Sequence, residues 1–263
     1  MAYEGGGGSR FKAAAGIVMA VLVAGVVGAI VKGGTREAIS YANSTPSAID
    51  DKLQSFFDEN PSQAAMYAAM KEKYPQKYDE FIAGLSTVVR NKGDVRQYGF
   101  DSMRKFTLSL KKDFGGAPSG DIQRVLDKHV ELMEVMSRSS EFYCGQFAFE
   151  GLSSSAQLSP DVLKVISEAS ALQINAAAAG RASPVVREEP TAADWDALSQ
   201  NMLNLGTTLE EMQHVNEGTV SALSQSRKCA VGKNLYEGIA NLPTESAARV
   251  GAFLLIPDAA GGA

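Results

Sequence analysis

One unbroken apolar run, Ala13 to Val31, constrains this chain more than any other feature. A helix that crosses a bilayer needs about 20 apolar residues at a rise of about 1.5 Å each. Within the bilayer every backbone N–H and C=O must be paired, which makes such a segment helical. The run therefore predicts a single N-terminal transmembrane helix, residues 13–31, that acts as a signal anchor. A short flexible arm, residues 1–12, precedes it.

The charges beside this run decide its orientation. Arg10 and Lys12 precede it, whereas Lys32 and Arg36 follow it, so the positive charges are nearly balanced. The short arm and its free amine favour a cytoplasmic N-terminus. We therefore expect a protein of the inner (plasma) membrane, whose main domain is periplasmic or extracellular.

Two other interpretations of the run remain open. Val27-Gly28-Ala29 offers a small-residue cleavage site, so the segment could be a cleaved signal peptide. The run is, however, longer than the usual apolar core of about 7–15 residues in such peptides. Alternatively, Lys32 and Arg36 could hold the main domain in the cytoplasm. The anchor and the signal peptide both export that domain.

Small residues recur every four positions within the run, at Gly16, Ala20, Ala24 and Gly28. Such a face allows two helices to approach closely in a membrane and would support a homo-oligomer. Glycine and alanine are also common in spanning helices that do not associate. The pattern leaves both interpretations open.

Roughly 230 residues follow the run, enough for a sizeable core. The whole chain has a net charge of −5. Removing the four Lys/Arg and two Glu of residues 1–37 leaves −7 for residue 38 onward. An acidic domain argues against nucleic acid or anionic lipid as a partner, because both require a basic surface.

Helix start signals and apolar spacing indicate the fold class. Thr45-Pro46, Asn60-Pro61 and Ser159-Pro160 each place a good N-cap before a proline. Between such boundaries the apolar residues recur at three- and four-residue spacing, which is typical of amphipathic helices, and alternating strand patterns are almost absent. The chain is predicted to be all-α, a multi-helix bundle of eight to ten helices.

The same signals divide the chain into segments. A juxtamembrane segment, residues 32–44, is followed by an all-α extracytoplasmic domain, residues 45–257, and a frayed tail, residues 258–263. Two stretches rich in Gly, Pro and Ser, residues 111–120 and 180–190, are expected to be joints between helices.

The chain contains two cysteines, Cys144 and Cys229. In an exported protein such a pair predicts one disulfide bond, which would hold the C-terminal helices onto the long helix that contains Val125 to Met136. The alternative is two buried thiols that behave as small apolar side chains. No cysteine or histidine spacing suggests a zinc site.

Glu210, His214 and Glu217 fall at i, i+4 and i+7, so one helix face could present an imidazole between two carboxylates. Such a face could bind a divalent metal, although di-iron bundles use Glu-x-x-His and this order is reversed. A solvated helix surface is the competing interpretation. The other histidine, His129, lies between Asp127 and Glu131, which point to different faces.

No motif names a reaction or a cofactor. The serine-rich stretches lack a nucleophile elbow, and no dinucleotide-binding, phosphate-loop or zinc-protease motif occurs. The sequence favours a non-catalytic structural or interaction subunit of a bacterial envelope or membrane protein complex. It would contact the membrane through residues 13–31 and bind other membrane or envelope proteins. The alternatives are a carboxylate-dependent envelope enzyme, for example a glycan-cleaving one, and a helical domain that binds a small ligand or a metal.

Overall fold

The computed structural model describes residues 45–153 and 155–255, and every regular element in these residues is helical. The all-α prediction is confirmed. The predicted transmembrane helix at residues 13–31 lies outside the described residues, as do the arm and the tail. In the part that is described, none of the helices combines the length and the apolar character that a membrane crossing needs.

The described residues form twelve α-helices and two short 3-10 turns. In chain order they are α1 (Pro46–Glu59), a 3-10 turn (Pro61–Gln63), α2 (Ala65–Lys73), α3 (Pro75–Arg90), α4 (Val95–Ser109), α5 (Lys111–Gly115), α6 (Ser119–Ser139), α7 (Glu141–Phe149), α8 (Pro160–Ala182), α9 (Ala192–Asn204), α10 (Leu209–Glu217), a 3-10 turn (Val220–Ala222), α11 (Gln225–Ala240) and α12 (Thr244–Leu254).

Local capping explains where several helices begin. Thr45 and Ser159 each accept a hydrogen bond from a backbone N–H in the first turn of α1 and α8, and a proline follows each cap. The Asn60-Pro61 signal starts only a 3-10 turn. The expected number of eight to ten helices was wrong, because helices as short as the five residues of α5 show no complete apolar period.

The two longest helices, α6 and α8, form the centre of the molecule and run antiparallel. Ser139 near the end of α6 meets Ser159 at the start of α8, with their hydroxyl oxygens 3.3 Å apart. Farther along, Lys128 and Glu168 form an ion pair at 3.1 Å. The second layer consists of α7, α11 and α12, which pack on α6, and of α2 and α5, which pack on α8.

The helices α1, α3 and α4 form an N-terminal layer in which α3 lies between the other two. Aromatic rings fill the contacts: Phe57 of α1 lies 4.7 Å from Tyr67 of α2, and Phe81 of α3 lies 6.1 Å from Tyr98 of α4, measured between ring centroids. Tyr98 also donates a hydrogen bond to the backbone oxygen of Phe81. This layer carries the first described residue of the chain.

Cys144 and Cys229 are paired at disulfide distance, with their Cα atoms 5.0 Å apart. The pair joins α7 to α11, and not α11 to the helix that contains Val125 to Met136, as the sequence had suggested. Around it the two helices touch at Gly145 and Gly232, where an added Cβ would lie 2.5 Å from Gln225 and 2.3 Å from Ala148. Glycine is needed at both positions because a larger residue would separate the helices.

Candidate functional site

The most distinctive surface feature is a non-helical segment, residues 183–190, between α8 and α9. We call it the strap. It crosses the corner where α5 meets α6, and the N–H of Val185 donates a hydrogen bond of 2.8 Å to the oxygen of Gly116. The strap therefore brings together the two stretches, 111–120 and 180–190, that the sequence marked as joints. Of the first stretch, Lys111–Gly115 is a helix and not a loop.

Arg187 fixes the middle of the strap. Its Nη1 donates to the oxygen of Gly115 at 2.6 Å, and its Nη2 donates to the oxygen of Ala117 at 2.8 Å and to the hydroxyl of Ser119 at 3.1 Å. The carbonyl of Gly115 belongs to the last residue of α5 and that of Ala117 lies two residues beyond it. Carbonyls at a helix C-terminus lack intrahelical partners, and a cation is favoured there. Burial lowers the pKa of Arg187, and the carboxylate of Glu245 opposes that shift.

The C-terminal end of the strap is held by a buried carboxylate. Asp194, in the first turn of α9, accepts a hydrogen bond from the N–H of Thr191, and Thr191 in turn caps the helix. Arg249 of α12 binds both oxygens of Asp194, at 2.8 and 2.9 Å. This hydrogen bonding to Arg249 holds the pKa of Asp194 well below its usual range. The strap is consequently held at its middle by Arg187 and at its C-terminal end through Asp194.

The N-terminal end depends on a close contact between two helices. At Gly180, two residues before α8 ends, an added Cβ would lie 2.0 Å from the backbone oxygen of Asp113 and 2.6 Å from the nitrogen of Ala117. No side chain fits there, so α8 and α5 approach at backbone distance. This contact sets the point from which the strap leaves the core.

The strap presents apolar side chains to solvent. Val186 is 98% exposed and Val185 is 41% exposed. Two exposed carboxylates, Glu188 and Glu189, follow them. Among the described residues, the other large apolar side chains with comparable exposure are Phe142 and Leu209, each on a helix. The strap thus displays an exposed valine beside two carboxylates, on a backbone held by the hydrogen bonds of Val185 and Arg187.

No known protein family, curated protein or solved structure matches this chain. The chemistry of the site therefore rests on the side chains themselves.

The three predicted metal ligands all lie on α10. Glu210 is exposed, the Nδ1 of His214 lies 2.9 Å from the hydroxyl of Thr219, and Glu217 accepts a hydrogen bond from Gln213. Across residues 45–153 and 155–255, no three His, Cys, Asp or Glu side chains are grouped so that they could hold a metal ion. The metal site at Glu210, His214 and Glu217 stays a prediction.

His129 is the buried histidine of the core. Its ring stacks on Tyr236 of α11 with 5.4 Å between centroids, and its Nδ1 lies 2.8 Å from the oxygen of Val125. Within the described part of the chain its Nε2 has no hydrogen-bond partner. Burial lowers the pKa of His129 to about 4, against 6.5 for a solvated histidine.

This burial predicts a loss of stability in mild acid. As the pH falls below 6.5 the unfolded chain protonates His129 while the folded protein does not, so the free energy of unfolding decreases until about pH 4. The total loss is about 3 kcal/mol. In His129→Leu this part of the pH dependence should vanish, as measured by urea unfolding between pH 4 and 7. The matched control, His214→Leu, should retain it; an unchanged slope in His129→Leu would contradict the assignment.

The sequence marked residues 180–190 as a joint but did not predict the contacts of Arg187. The signal that was present is Arg187 within a segment of Gly, Pro and Val, since a guanidinium there can bind several carbonyls at once. Its partners are backbone oxygens, which every residue carries. The pairing could therefore not be identified from residue types.

Proposed function

We propose that this chain is a membrane-anchored, non-catalytic interaction subunit of an envelope or membrane protein complex, and that the strap contacts the partner protein. The observation that carries the proposal is Val186, which is almost fully exposed on a segment fixed by Arg187 and by the N–H of Val185. Burying a valine side chain in a partner contributes about 1.5 kcal/mol or more. Because the strap is already ordered, binding does not have to order it.

The chemistry of the strap defines the partner. Glu188 and Glu189 stand beside the exposed valines. A complementary surface has an apolar pocket flanked by Lys or Arg side chains, because like charges across an interface are costly. An apolar pocket and flanking cations occur together on protein surfaces, so we expect the partner to be a protein.

Two further observations support the cellular location in this proposal. The apolar run 13–31 supplies the membrane anchor, with the N-terminus cytoplasmic. The pairing of Cys144 with Cys229 suits an oxidising compartment, where disulfides persist. The main domain would accordingly lie on the periplasmic or extracellular side of the inner (plasma) membrane.

Substitution of Val186 by aspartate tests the proposal. In mild detergent, the full chain extracted from its own membranes should form a particle heavier than a single chain, as measured by mass photometry. Val186→Asp should weaken that assembly more than tenfold, since it places a charge in an apolar contact. Leu209→Asp, at a 74% exposed position on α10, should leave it intact.

The two variants distinguish binding at the strap from binding elsewhere on the surface. A wild-type particle containing one chain alone would contradict the proposed function. A Val186→Asp chain that remains in the heavier particle would show that the partner binds elsewhere.

A further inference from the structure

The backbone of the strap is extended. Residues 184–191 contain no helix, turn or bend. Among the described residues, the contact of Val185 with Gly116 is the one backbone–backbone hydrogen bond that involves residues 184–190. Pro184 and Pro190 each hold their own φ at about −65° and favour an extended conformation for the residue before them. These properties are typical of a polyproline II helix or of an unpaired strand.

Contacts with the domain recur at every third residue of the strap. Pro184 lies beside Gly116, where an added Cβ would be 3.4 Å from the Cβ of Pro184. Arg187 binds the carbonyl oxygen of Gly115, and Pro190 is half-buried. The residues between them, 185, 186, 188 and 189, are all exposed. A polyproline II helix has three residues per turn, so positions 184, 187 and 190 share one face of it.

A β-strand would not produce this pattern. Its side chains alternate every two residues, which would place Arg187 and Glu189 on the same side of the chain. Glu189 is exposed, whereas Pro190, which would lie on the opposite side, is half-buried. Thr191, at the end of the extended stretch, has φ −80° and ψ 166°, near the polyproline II values of about −75° and +145°. Burial and backbone geometry both favour polyproline II.

In this conformation the other two faces of the strap point away from the domain. One face carries Val185 and Glu188, and the other carries Val186 and Glu189. The rise is about 3.1 Å per residue, so the valine pair and the glutamate pair lie about 9 Å apart along the chain. A protein that contacts the strap from outside therefore meets two valines in one turn and two carboxylates in the next.

We propose that the partner binds the strap in an aromatic-lined groove of the kind that accepts polyproline II segments. This inference rests on the proposed function, because it describes the partner surface that contacts the strap. Such grooves exploit a conformation that is formed before binding, which lowers the entropic cost of association. The valines fill the apolar slot between the aromatic rings, and cations beside the slot bind the carboxylates.

The backbone of the strap is available to such a groove. No backbone N–H of the described residues donates to a carbonyl oxygen of residues 185–189. A tyrosine hydroxyl or a tryptophan N–H carries a hydrogen-bond donor on an aromatic ring. One such side chain of the partner can therefore donate to a strap carbonyl and pack against a valine at the same time.

The charges of the outward faces are also available. In the part of the chain that the structure describes, none of the ion pairs involves Glu188 or Glu189. The pKa of Arg249 is raised chiefly by Asp194 and also by Glu188, so the test of charge uses Glu189. Glu189→Lys should weaken the assembly about tenfold, since it places like charges together. Glu59→Lys, the same change at an exposed site on α1, should not; equal effects would overturn the assignment of cations to the groove.

Proline substitution in the full chain tests the groove, with the heavier particle measured by mass photometry. Val186→Pro keeps the polyproline II φ and removes an N–H that makes no backbone hydrogen bond among the described residues. The groove should bind this variant as tightly as the wild type, or up to about fivefold tighter, because proline restricts the unbound strap. A partner that pairs with the strap as a β-strand needs that N–H and would lose the variant.

Val185→Pro is the matched control, because it removes the hydrogen bond from Val185 to Gly116 that holds the strap. This variant should weaken the assembly more than about tenfold, and limited proteolysis should cut its strap faster. The same proteolysis should leave the strap of Val186→Pro as resistant as that of the wild type. Loss of the heavier particle in Val186→Pro, with its strap still resistant, would overturn the inference.

Val186→Thr decides the question if the strap of Val186→Pro is cut faster. Threonine keeps the shape and the strand preference of valine but places a hydroxyl in the apolar slot. The groove should bind this variant at least about threefold more weakly. Unchanged assembly of Val186→Thr would overturn the inference in favour of strand pairing.

The wild-type particle keeps this inference separate from the proposed function. A wild-type particle of one chain alone contradicts the proposed function, and the groove is then wrong as well. If the wild type assembles and Val186→Asp does not, the proposed function holds, and loss of Val186→Pro contradicts the groove alone.

Discussion

Replacing Cys144 and Cys229 together by alanine should lower the free energy of unfolding by about 4 kcal/mol. The two residues are 85 positions apart, so their bond closes a long loop and removes much of the freedom of the unfolded chain. Both side chains are buried between α7 and α11. Alanine at each position leaves a small apolar side chain and adds no unpaired polar group. Chemical denaturation followed by helical circular dichroism measures the difference.

The reductant provides the control for this experiment. Dithiothreitol should destabilise the wild-type protein by a similar amount and leave the double alanine variant unchanged. Equal stability of the oxidised wild type and the variant would contradict the structural role of the bond. It would also weaken the argument for an oxidising compartment, because that argument depends on the bond being formed.

Substitution of Gly180 by alanine should cost about 3 kcal/mol of stability and release the strap. The new Cβ would lie 2.0 Å from the backbone oxygen of Asp113, and neither backbone can move without separating α8 from α5. Overpacking of this kind is destabilising because the neighbouring atoms have no free volume to enter. Limited proteolysis should accordingly cut residues 183–190 faster in the variant than in the wild type.

Gly120 is the matched control for this substitution. It lies in the first turn of α6, and an added Cβ there meets nothing within 4 Å. Gly120→Ala should be neutral or stabilise the helix by up to about 1 kcal/mol. Equal effects at the two positions would show that α8 and α5 are not held at backbone distance.

Local signals predicted the helices that have clear caps. Thr45-Pro46 and Ser159-Pro160 begin α1 and α8 as expected, because capping and proline geometry act within one turn. The helix α5 was missed because its five residues include one large apolar side chain, Phe114, and show no apolar stripe. The partner of Cys144 in a disulfide could be predicted without a structure, because Cys229 is the one other cysteine in the sequence.

The features that matter most for the proposals depend on tertiary contacts. Arg187 binds backbone oxygens, and Gly180 lies against a backbone oxygen of another helix. Because every residue has a backbone oxygen, neither contact could be predicted from the residue types.

Photo-crosslinking from position 186 in intact membranes tests whether the strap contacts a partner protein. A photoreactive amino acid replaces Val186 in the full chain, and a second variant carries it at Leu209, which is also exposed. We expect a discrete heavier adduct with one partner protein from position 186, and none from position 209. Absence of an adduct at 186, or equal adducts from both positions, would contradict the claim that the strap is the contact surface of a complex.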